Sequence, residues 1–256
     1  HPGRPLVVVL TGTDLYRDLA MDAQARRSIE LAQRLIVLHE FACDDVPAEQ
    51  RHKCVVCFQS CGARRALPKT GRHLRALMVG HLRDVKDPRT WFAAVRKLSD
   101  REDLVFDHIG AALDPALGDE ARALMREQPR YRWLGELAHA ATLRHIQRAH
   151  VLVHPSLIEG GAHAVIEAVR SGTPVLASRI AGNVGLLGRE YLGLFAPGAA
   201  RGTGALGQSD HRGPGCLRVG PGIRGRGPGA RGIAAGFSRG ARAVIDREKI
   251  LRLDVN

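Results

Sequence analysis

The chain has 256 residues, 45% of them hydrophobic, which is enough to bury the core of one large domain or of two modest ones. No apolar run reaches the roughly 18 residues that a spanning helix needs, so we expect no membrane span. The formal net charge of +12 suggests a nucleic-acid-binding protein, but residues 196–256 alone carry +7 of it. We therefore expect no nucleic-acid partner.

The N-terminal sequence and the cysteines indicate where the protein works. The segment "HPGRPLVVVLTGTD" has a short apolar run and no small-residue cleavage pattern, so it predicts a buried strand rather than a signal peptide. The cysteines have irregular spacing and predict free thiols in a cytoplasmic protein: Cys43, Cys54, Cys57, Cys61 and Cys216. A zinc site at the Cys-x-x-Cys pair is the alternative. Residues three apart in a strand face opposite ways, so we expect no metal.

Up to residue 195, strand-like apolar runs alternate with helix-like amphipathic segments. The strand candidates are Leu6–Leu10, Leu35–Leu38, Val55–Phe58, Ala76–Gly80, Leu104–Ile109, Tyr131–Leu134, Val151–His154 and Pro174–Ser178. The helix candidates are Met21–Gln33, Pro88–Leu98, Pro115–Glu127, Ala138–Ala149 and His163–Ser171. This alternation is typical of βαβ units and predicts an α/β fold with parallel sheets.

The chain is predicted to divide at a Gly-, Pro- and Arg-rich stretch without periodicity, which we interpret as a linker over residues 61–73. Residues 1–60 hold about three strands, few for a doubly wound domain, and predict a partial N-terminal domain. Residues 74–195 predict a second Rossmann-like domain of about five or six strands.

Residues 196–256 have a different composition. They hold 14 of the 29 glycines of the chain, together with most of its basic excess, and show no helical or strand periodicity. This composition predicts an atypical, disordered tail. A basic RNA-binding tail is one alternative, although its Gly/Arg stretch lacks the interleaved Phe or Tyr that would stack on bases. A shifted reading frame is the other.

The loop "VGHLRDVKDP", residues 79–88, carries two cations at the end of a predicted strand. The strand ends at Gly80, a helix begins near Pro88, and Arg83 and Lys86 lie between them. Two cations at the carboxyl end of a parallel strand can neutralise a pyrophosphate and stabilise a departing nucleoside diphosphate. The alternative is a solvated basic surface loop.

The segment "HPSLIEGGAHAVIEAVRSGTPVLAS", residues 154–178, follows another predicted strand. Gly160 and Gly161 allow the backbone to approach a ligand closely, and the next helix presents unpaired N–H groups that suit a diphosphate. Glu159 in the loop and Glu167 two turns into the helix can each accept several hydrogen bonds from sugar hydroxyls. Solvated carboxylates are the alternative.

These motifs together resemble the nucleotide-sugar site of GT-B glycosyltransferases of the family-4 type. The resemblance implies a GT-B fold in which Glu159 touches the donor sugar and Glu167 binds the nucleotide ribose. It also implies that Lys86 and Arg83 stabilise the diphosphate, although the family usually has Arg directly after the glycine, where this chain has His81. The strand and turn "RYRWLGEL" resemble the segment whose backbone reads the base, near Leu134 and Gly135.

A narrower resemblance covers residues 5–195. The segments "LVVVLTGTDLYRDL", "HIGAALDPAL", "EGGAHAVIEA" and "SRIAGNVGLLG" are similar to the selenosugar synthase branch of these enzymes, which serves selenoneine biosynthesis. The resemblance implies transfer from a UDP-sugar, UDP-N-acetylglucosamine, to selenophosphate, with release of UDP and no cofactor besides the UDP-sugar co-substrate. The last segment resembles a loop in which Gly182 and Asn183 pass near the donor.

The segment "TGTDLYRDL" ends the first predicted strand and, by the same geometry, faces the cleft between the domains. The expected acceptor or donor-sugar contacts are Thr11, Gly12, Thr13 and Asp14, with Tyr16 and Arg17 placed to bind an anionic acceptor such as selenophosphate. For Asp14, a turn that caps the next helix is an equal alternative.

Four histidines that follow one another in the second predicted domain do not share one helical face, and we interpret them as packed or surface residues rather than metal ligands: His139, His145, His150 and His154. The rival functions are an O-glycosyltransferase with a sugar or lipid acceptor, a catalytically inactive fragment, and a basic RNA-binding protein. The assigned catalytic residues are Lys86, Arg83 and Glu159.

Overall fold

A computed structural model describes residues 4–62 and 64–198. The strands in these ranges form two separate, wholly parallel sheets, one of three strands in the order β1-β2-β3 and one of six in the order β6-β5-β4-β7-β8-β9. The strands are β1 Val7–Leu10, β2 Arg34–Val37, β3 Cys54–Val56, β4 Leu74–Val79, β5 Leu104–Ile109, β6 Tyr131–Trp133, β7 Val151–His154, β8 Val175–Ser178 and β9 Leu194–Phe195.

The helices connect these strands in the crossover manner that parallel pairing requires. They are α1 Leu19–Met21, α2 Ala23–Leu31, α3 Ala42–Asp45, α4 Pro88–Lys97, α5 Pro115–Glu127, α6 His139–Arg148, α7 His163–Arg170 and α8 Ala181–Leu187. A π-helical turn at Asp14–Asp18 and 3-10 turns at Ala48–Lys53 and Asp84–Lys86 complete the described helical segments. The predicted α/β fold class with parallel sheets is confirmed.

The six-stranded sheet is packed on both faces, as expected for parallel strands. On one face, α4 and α5 contribute Trp91, Phe92 and Leu117 to a buried cluster. On the other, α6, α7 and α8 contribute side chains such as Ile146 and Val165 to a second cluster. The three-stranded sheet has its own cluster, centred on the fully buried residues Leu35 and Val37 and the helices α2 and α3.

The strand order of the larger sheet reverses between β4 and β7, because β5 and β6 extend to one side and β8 and β9 to the other. Such a reversal opens a crevice at the carboxyl ends of the two central strands, where open α/β sheets bind ligands. The segments that leave these two ends are the loop from Gly80 to Asp87 and the loop from Pro155 to Ala162. They are the two segments that the sequence motifs single out.

Three segments differ from the sequence predictions. The segment around Gly182 and Asn183, predicted as a loop, forms helix α8, and the short strand β9 was not predicted at all. The segment Met21–Gln33, predicted as one helix, divides at Asp22, whose carboxylate accepts a hydrogen bond from the Gln24 backbone and caps α2. The remaining predicted helices and strands are present, with ends that differ by three residues or fewer at either end.

Within the described ranges, no helix is both long enough and apolar enough to cross a membrane. The predicted linker, apart from residue 63, contains neither helix nor strand. The expectations for the tail concern residues 196–256, of which 199–256, including Cys216, lie outside the described residues.

Candidate active site

A salt bridge joins the two loops at the crevice. Lys86 Nζ pairs with Glu159 Oε1, and both side chains are largely withdrawn from solvent, with 17% and 10% of their surface exposed. The aliphatic stem of Lys86 lies over Gly80, where an added Cβ would be 3.6 Å from Lys86 Cγ. Lys86 and Glu159, which the sequence motifs single out, therefore meet at the switch point of the sheet, where the strand order reverses between β4 and β7.

His154, the last residue of β7, approaches the same carboxylate. Its Nε2 atom is 3.1 Å from Glu159 Oε1, within ion-pair range but not aligned for a hydrogen bond. Burial by itself raises the pKa of Glu159, but interactions with His154 and Lys86 outweigh burial and lower the pKa to about 2. Glu159 is thus a carboxylate held ionised in a nearly water-free position, which is unusual for a side chain only 9% exposed.

The Glu-Gly-Gly loop is in backbone contact with the loop that follows β1. A Cβ on Gly160 would be 2.5 Å from the Gly12 nitrogen, and a Cβ on Gly12 would be 2.5 Å from the Gly160 nitrogen. Neither position can hold a larger residue without displacing backbone. The predicted glycine loops of the two sheets therefore meet directly, and the crevice is bounded on one side by the three-stranded sheet.

Glu167 lies on α7, is 4% exposed, and is contacted by two histidines. Its Oε1 atom is 2.6 Å from Nε2 of His139, the first residue of α6, and 3.4 Å from Nε2 of His163, the first residue of α7. Both histidines are substantially exposed. The carboxylate consequently lies beside the first residues of α6 and α7, where it can accept hydrogen bonds from a ligand that approaches these helix N-termini.

The strand β6 ends in the segment that was predicted to read a base. The Leu134 N–H donates to the His108 carbonyl over 2.8 Å, and the Gly135 carbonyl accepts from the Gly110 N–H over 2.8 Å. Gly135 has a φ of +67°, a conformation that favours glycine, and space for a Cβ beside it is open. The turn is therefore fixed by backbone bonds while its outer surface stays open.

Arg83 is placed differently from Lys86. It lies on the same loop, but its side chain is exposed and has no hydrogen-bond or ion-pair partner among the described residues. The structure brings Lys86 but not Arg83 into contact with Glu159.

In the loop after β1, the carboxylate of Asp14 accepts hydrogen bonds from a residue of the same loop. Asp14 Oδ2 accepts from the Thr11 backbone N–H over 2.8 Å and from the Thr11 hydroxyl over 2.6 Å. Asp14 is the first residue of the π-helical turn, and Thr13, not Asp14, is its N-cap. The Asp14 carboxylate therefore closes a turn, as the alternative to an acceptor contact predicts. It does so from the first residue of the π-helical turn and not from the N-cap position.

Tyr16 and Arg17 point away from each other. The Tyr16 hydroxyl is 3.2 Å from Nε2 of the fully buried His39, and burial together with Asp45 raises the pKa of Tyr16. Arg17 pairs with Asp18 at 3.0 Å, and 56% of its side chain is exposed. Tyr16 is therefore engaged inside the smaller sheet, whereas Arg17 faces solvent.

Gly182 and Asn183 adjoin the site from α8. A Cβ on Gly182 would collide with the Glu159 carbonyl, so this glycine allows α8 to lie against the Glu-Gly-Gly loop. Asn183 is fully buried, and its Nδ2 atom donates to the Ser178 carbonyl over 2.9 Å and to the Ser178 hydroxyl over 3.1 Å. Asn183 thus fixes the end of β8 rather than facing the crevice with its amide nitrogen.

Sequence reasoning missed three histidines and one cysteine at the site. His154 is buried and His139 is exposed, as predicted, but sequence reasoning did not foresee that they contact the two glutamates. The contact of His163 with Glu167 could have been predicted, because His163 precedes Glu167 by four residues on one helix. Cys61 also lies near Glu167: burial raises the pKa of its thiol, and the Glu167 charge raises it further.

No group of three or more His, Cys, Asp or Glu among the described residues is arranged to hold a metal ion. The four described cysteines are free thiols.

The chain has relatives among known proteins. Residues 63–200, slightly more than half of the chain, match the family model described as glycosyl transferases group 1. Over 139 residues the chain is 33% identical to "Glycosyltransferase 1 domain-containing protein 1" of Xenopus tropicalis. The matched region covers 54% of this chain and 39% of that relative. The chain therefore spans about two fifths of the length of the curated relative.

Solved structures share the fold. HepE of Anabaena, in complex with UDP and glucose, superposes with a TM-score of 0.63 and 16% identity, over 77% of this chain and 59% of that one. A mutant of TarM from S. aureus, in complex with fondaparinux, alpha-GlcNAc-glycerol and UDP, superposes with a TM-score of 0.64 and 12% identity. The match covers 78% of this chain and 42% of that one. The predicted GT-B fold is thereby confirmed, and the chain covers only part of each neighbour.

Proposed function

Because the chain belongs to the glycosyl transferases group 1 family, we propose that it is the core of a glycosyltransferase that uses a UDP-sugar donor. The observation that carries this proposal is the buried Lys86–Glu159 pair at the switch point of the six-stranded sheet. The cation can pair with a diphosphate, and the carboxylate can accept hydrogen bonds from sugar hydroxyls. The two groups together therefore suit a substrate in which a sugar and a diphosphate are adjacent. The presence of UDP in the HepE and TarM structures supports the choice of nucleotide.

The donor is proposed to lie across the carboxyl ends of β4, β6 and β7. Glu167 accepts hydrogen bonds from the ribose hydroxyls, and the backbone near Leu134 and Gly135 reads the base. The diphosphate lies between Gly80 and the N-terminal end of α7, against Gly160 and Gly161, where helix N–H groups are free to donate. Gly182 borders the Glu159 side of this position from α8, and Asn183, the next residue of that helix, fixes the end of β8.

In the proposed mechanism the charge of the leaving UDP is balanced by protein cations. As the bond between the anomeric carbon and the β-phosphate oxygen breaks, its electron pair goes to UDP, and Lys86 approaches that oxygen. Arg83, on the same loop, adds a second positive charge from the solvent side. Glu159 holds the sugar hydroxyls, and its depressed pKa keeps it an acceptor at all physiological pH values.

The three-stranded unit, residues 1–60, is proposed to provide the acceptor side, joined by the segment 61–73 to the donor-binding residues 74–195. Thr11 and Gly12 lie against Gly160 at the contact between the two sheets, and Thr13 and Asp14 follow them in the same segment. The exposed guanidinium of Arg17 is available to an anionic acceptor if it leaves Asp18, and Tyr16 orders the loop through His39.

The finer proposal names both substrates. The donor is UDP-N-acetylglucosamine and the acceptor is selenophosphate, whose selenium forms a bond to the anomeric carbon as UDP departs. It rests on the sequence resemblance to selenosugar synthases over residues 5–195. A neutral sugar or lipid hydroxyl is the second candidate acceptor, and the pairing of Arg17 with Asp18 favours it, because that pair leaves no net charge at this point.

The test is UDP release by the full chain from UDP-N-acetylglucosamine, with selenophosphate or with a series of glycoside and lipid acceptors. Release that depends on selenophosphate, with a selenium-containing sugar as product, supports the finer proposal. Release only with hydroxyl acceptors overturns the selenium acceptor and keeps the glycosyltransferase. No binding and no turnover of any UDP-sugar overturns the proposed function.

A further inference from the structure

The turn between Lys86 and helix α4 has an unusual backbone. Of the non-glycine residues that the structure describes, only Asp87 has a positive φ, and its φ of 46° and ψ of 55° lie in the left-handed region. A side chain disfavours that region, and the proline that follows, Pro88, normally drives the preceding residue toward an extended conformation. Two independent steric effects therefore oppose the conformation of Asp87.

A second Asp-Pro pair in the same domain shows that a helix start does not require this conformation. Asp114 precedes Pro115 at the start of α5, has an extended backbone with a φ of −110°, and its carboxylate accepts from the Ala116 N–H over 2.9 Å. Asp87 has the same position at α4, but its carboxylate accepts from the Thr90 hydroxyl over 2.6 Å. Because the same dipeptide is relaxed at one helix start and strained at the other, the strain comes from the surroundings of Asp87.

The surrounding structure holds the strained turn in place. Asp87 is only 1% exposed, its N–H donates to the Asp84 carbonyl over 2.9 Å, and its carbonyl accepts from the Thr90 N–H over 3.2 Å. Helix α4 is fixed in turn, because Trp91 and Phe92 lie in the buried cluster beside the six-stranded sheet. Backbone strain of this kind persists only where the surroundings impose it, and it is concentrated at functional sites.

The functional group that this turn fixes is the side chain of Lys86. On one side of Lys86, the Val85 carbonyl accepts from the Leu157 N–H over 2.9 Å, which joins this loop to the loop that carries Glu159. On the other side, Asp87 joins it to α4. If Asp87 relaxed to an extended conformation, α4 would stay in the core and the loop would move, which would withdraw Lys86 from Glu159.

We propose that Asp87 is a positioning residue for Lys86, and that its left-handed backbone holds the ammonium group where the β-phosphate of the donor binds. Asp87 acts only through Lys86 and does not contact the substrate. This inference rests on the proposed function and adds to it the residue that sets the geometry of the leaving-group cation.

The experiment compares substitutions at Asp87 that differ in the cost of a left-handed backbone. Gly adopts this conformation readily and Asn tolerates it, whereas Ala does not. Calorimetry on the full chain measures binding of UDP and of UMP, which lacks the β-phosphate. For Asp87→Ala we expect about five- to ten-fold weaker binding of UDP and UMP binding within about two-fold of wild type. Asp87→Gly and Asp87→Asn should bind both nucleotides as the wild type does.

The matched control is Asp114→Ala, at the other Asp-Pro helix start. This variant loses a helix cap and some stability but should keep the wild-type affinity for both nucleotides. A double variant then separates positioning from a general structural role. If Asp87 acts through Lys86, Asp87→Ala introduced into Lys86→Met should not weaken UDP binding further.

Three results would overturn the inference: a further loss of UDP affinity in the Lys86→Met background, equal weakening of UDP and UMP, or equal UDP affinity of Asp87→Ala and Asp87→Gly. If Asp87→Ala does not fold, Asp87→Ser, which also disfavours a left-handed backbone, must show the same loss relative to Asp87→Gly. A wild-type chain that binds neither nucleotide refutes the proposed function itself. Wild-type binding that Asp87→Ala leaves intact refutes only the positioning role.

Discussion

Lys86 and Glu159 form a salt bridge between the loops that follow the two central strands of the six-stranded sheet. The pair is nearly buried, and Nε2 of His154 lies 3.1 Å from the same carboxylate oxygen. Because the charges already compensate each other, the site stays ionised without a substrate. A diphosphate that binds here shares Lys86 with Glu159 and does not encounter an isolated buried charge.

Replacement of Lys86 by methionine should lower kcat/KM for UDP release by about 10²- to 10³-fold, the range seen when one donor to a developing negative charge is removed. Lys86→Arg should retain part of the activity, since the charge remains although the geometry changes. Steady-state UDP release measures the effect. The control is Lys97→Met, at an exposed lysine on the last turn of α4. Equal activity of the two methionine variants would show that Lys86 does not act on the leaving group.

Gly160→Ala should impair both folding and turnover. The new methyl group would be 2.5 Å from the Gly12 nitrogen, so the two loops must separate. We expect a loss of unfolding free energy of about 1–3 kcal/mol, typical of an overpacked contact, and a marked loss of activity. Urea unfolding and UDP release measure both. Gly71→Ala is the matched control, because nothing lies within 4 Å of its added Cβ. Identical behaviour of the two variants would refute the loop contact.

The stability of the chain should fall as the pH is lowered from about 6.5 to about 4 because of His108. This side chain is fully buried, and burial lowers its pKa from 6.5 to about 4. In that pH interval the unfolded chain binds a proton that the folded chain does not, so the contribution of neutral His108 is complete above pH 6.5 and decreases toward pH 4. The difference in pKa corresponds to about 3 kcal/mol.

Urea unfolding as a function of pH checks this prediction. His108→Gln, which keeps a polar side chain without the titration, should show a flatter dependence between pH 6.5 and 4. The neutral imidazole is held between the Gly80 carbonyl and the Tyr131 hydroxyl, each at 3.0 Å. A pH dependence in the variant as steep as in the wild type would assign the effect to other groups.

Most of the fold was predictable because each long strand is a contiguous apolar run and each long helix has an apolar stripe. Helix α8 was not, since "AGNVGLL" contains two glycines, each of which disfavours a helix by about 1 kcal/mol relative to Ala. The tertiary packing explains them: Gly182 lies against the Glu159 carbonyl and Gly185 against His39, where a larger residue would collide. Strand β9 has only two residues and therefore no readable pattern.

Site residues were predictable where their position follows from the order of strands and loops along the chain. They were not predictable where a contact depends on the packing of separate elements. Glu159 and Lys86 each follow a strand, and parallel strands end at one edge, so their proximity follows from the fold. The approach of His139 to Glu167 joins two different helices, and no spacing in the sequence encodes it. For the same reason the separation of Arg83 from the Lys86–Glu159 pair became visible only in three dimensions.

The central claim is that a uridine nucleotide binds beside α7 through Glu167, and UDP binding to Glu167→Ala tests it most directly. Calorimetry should show UDP binding to the wild type and binding weaker by about ten-fold or more in the variant, because hydrogen bonds to a charged acceptor are lost. Glu127→Ala, at an exposed carboxylate on α5 paired with Arg96, is the matched control and should bind UDP as the wild type does. Undiminished UDP affinity in Glu167→Ala, or no UDP binding by the wild type, would contradict the proposed site.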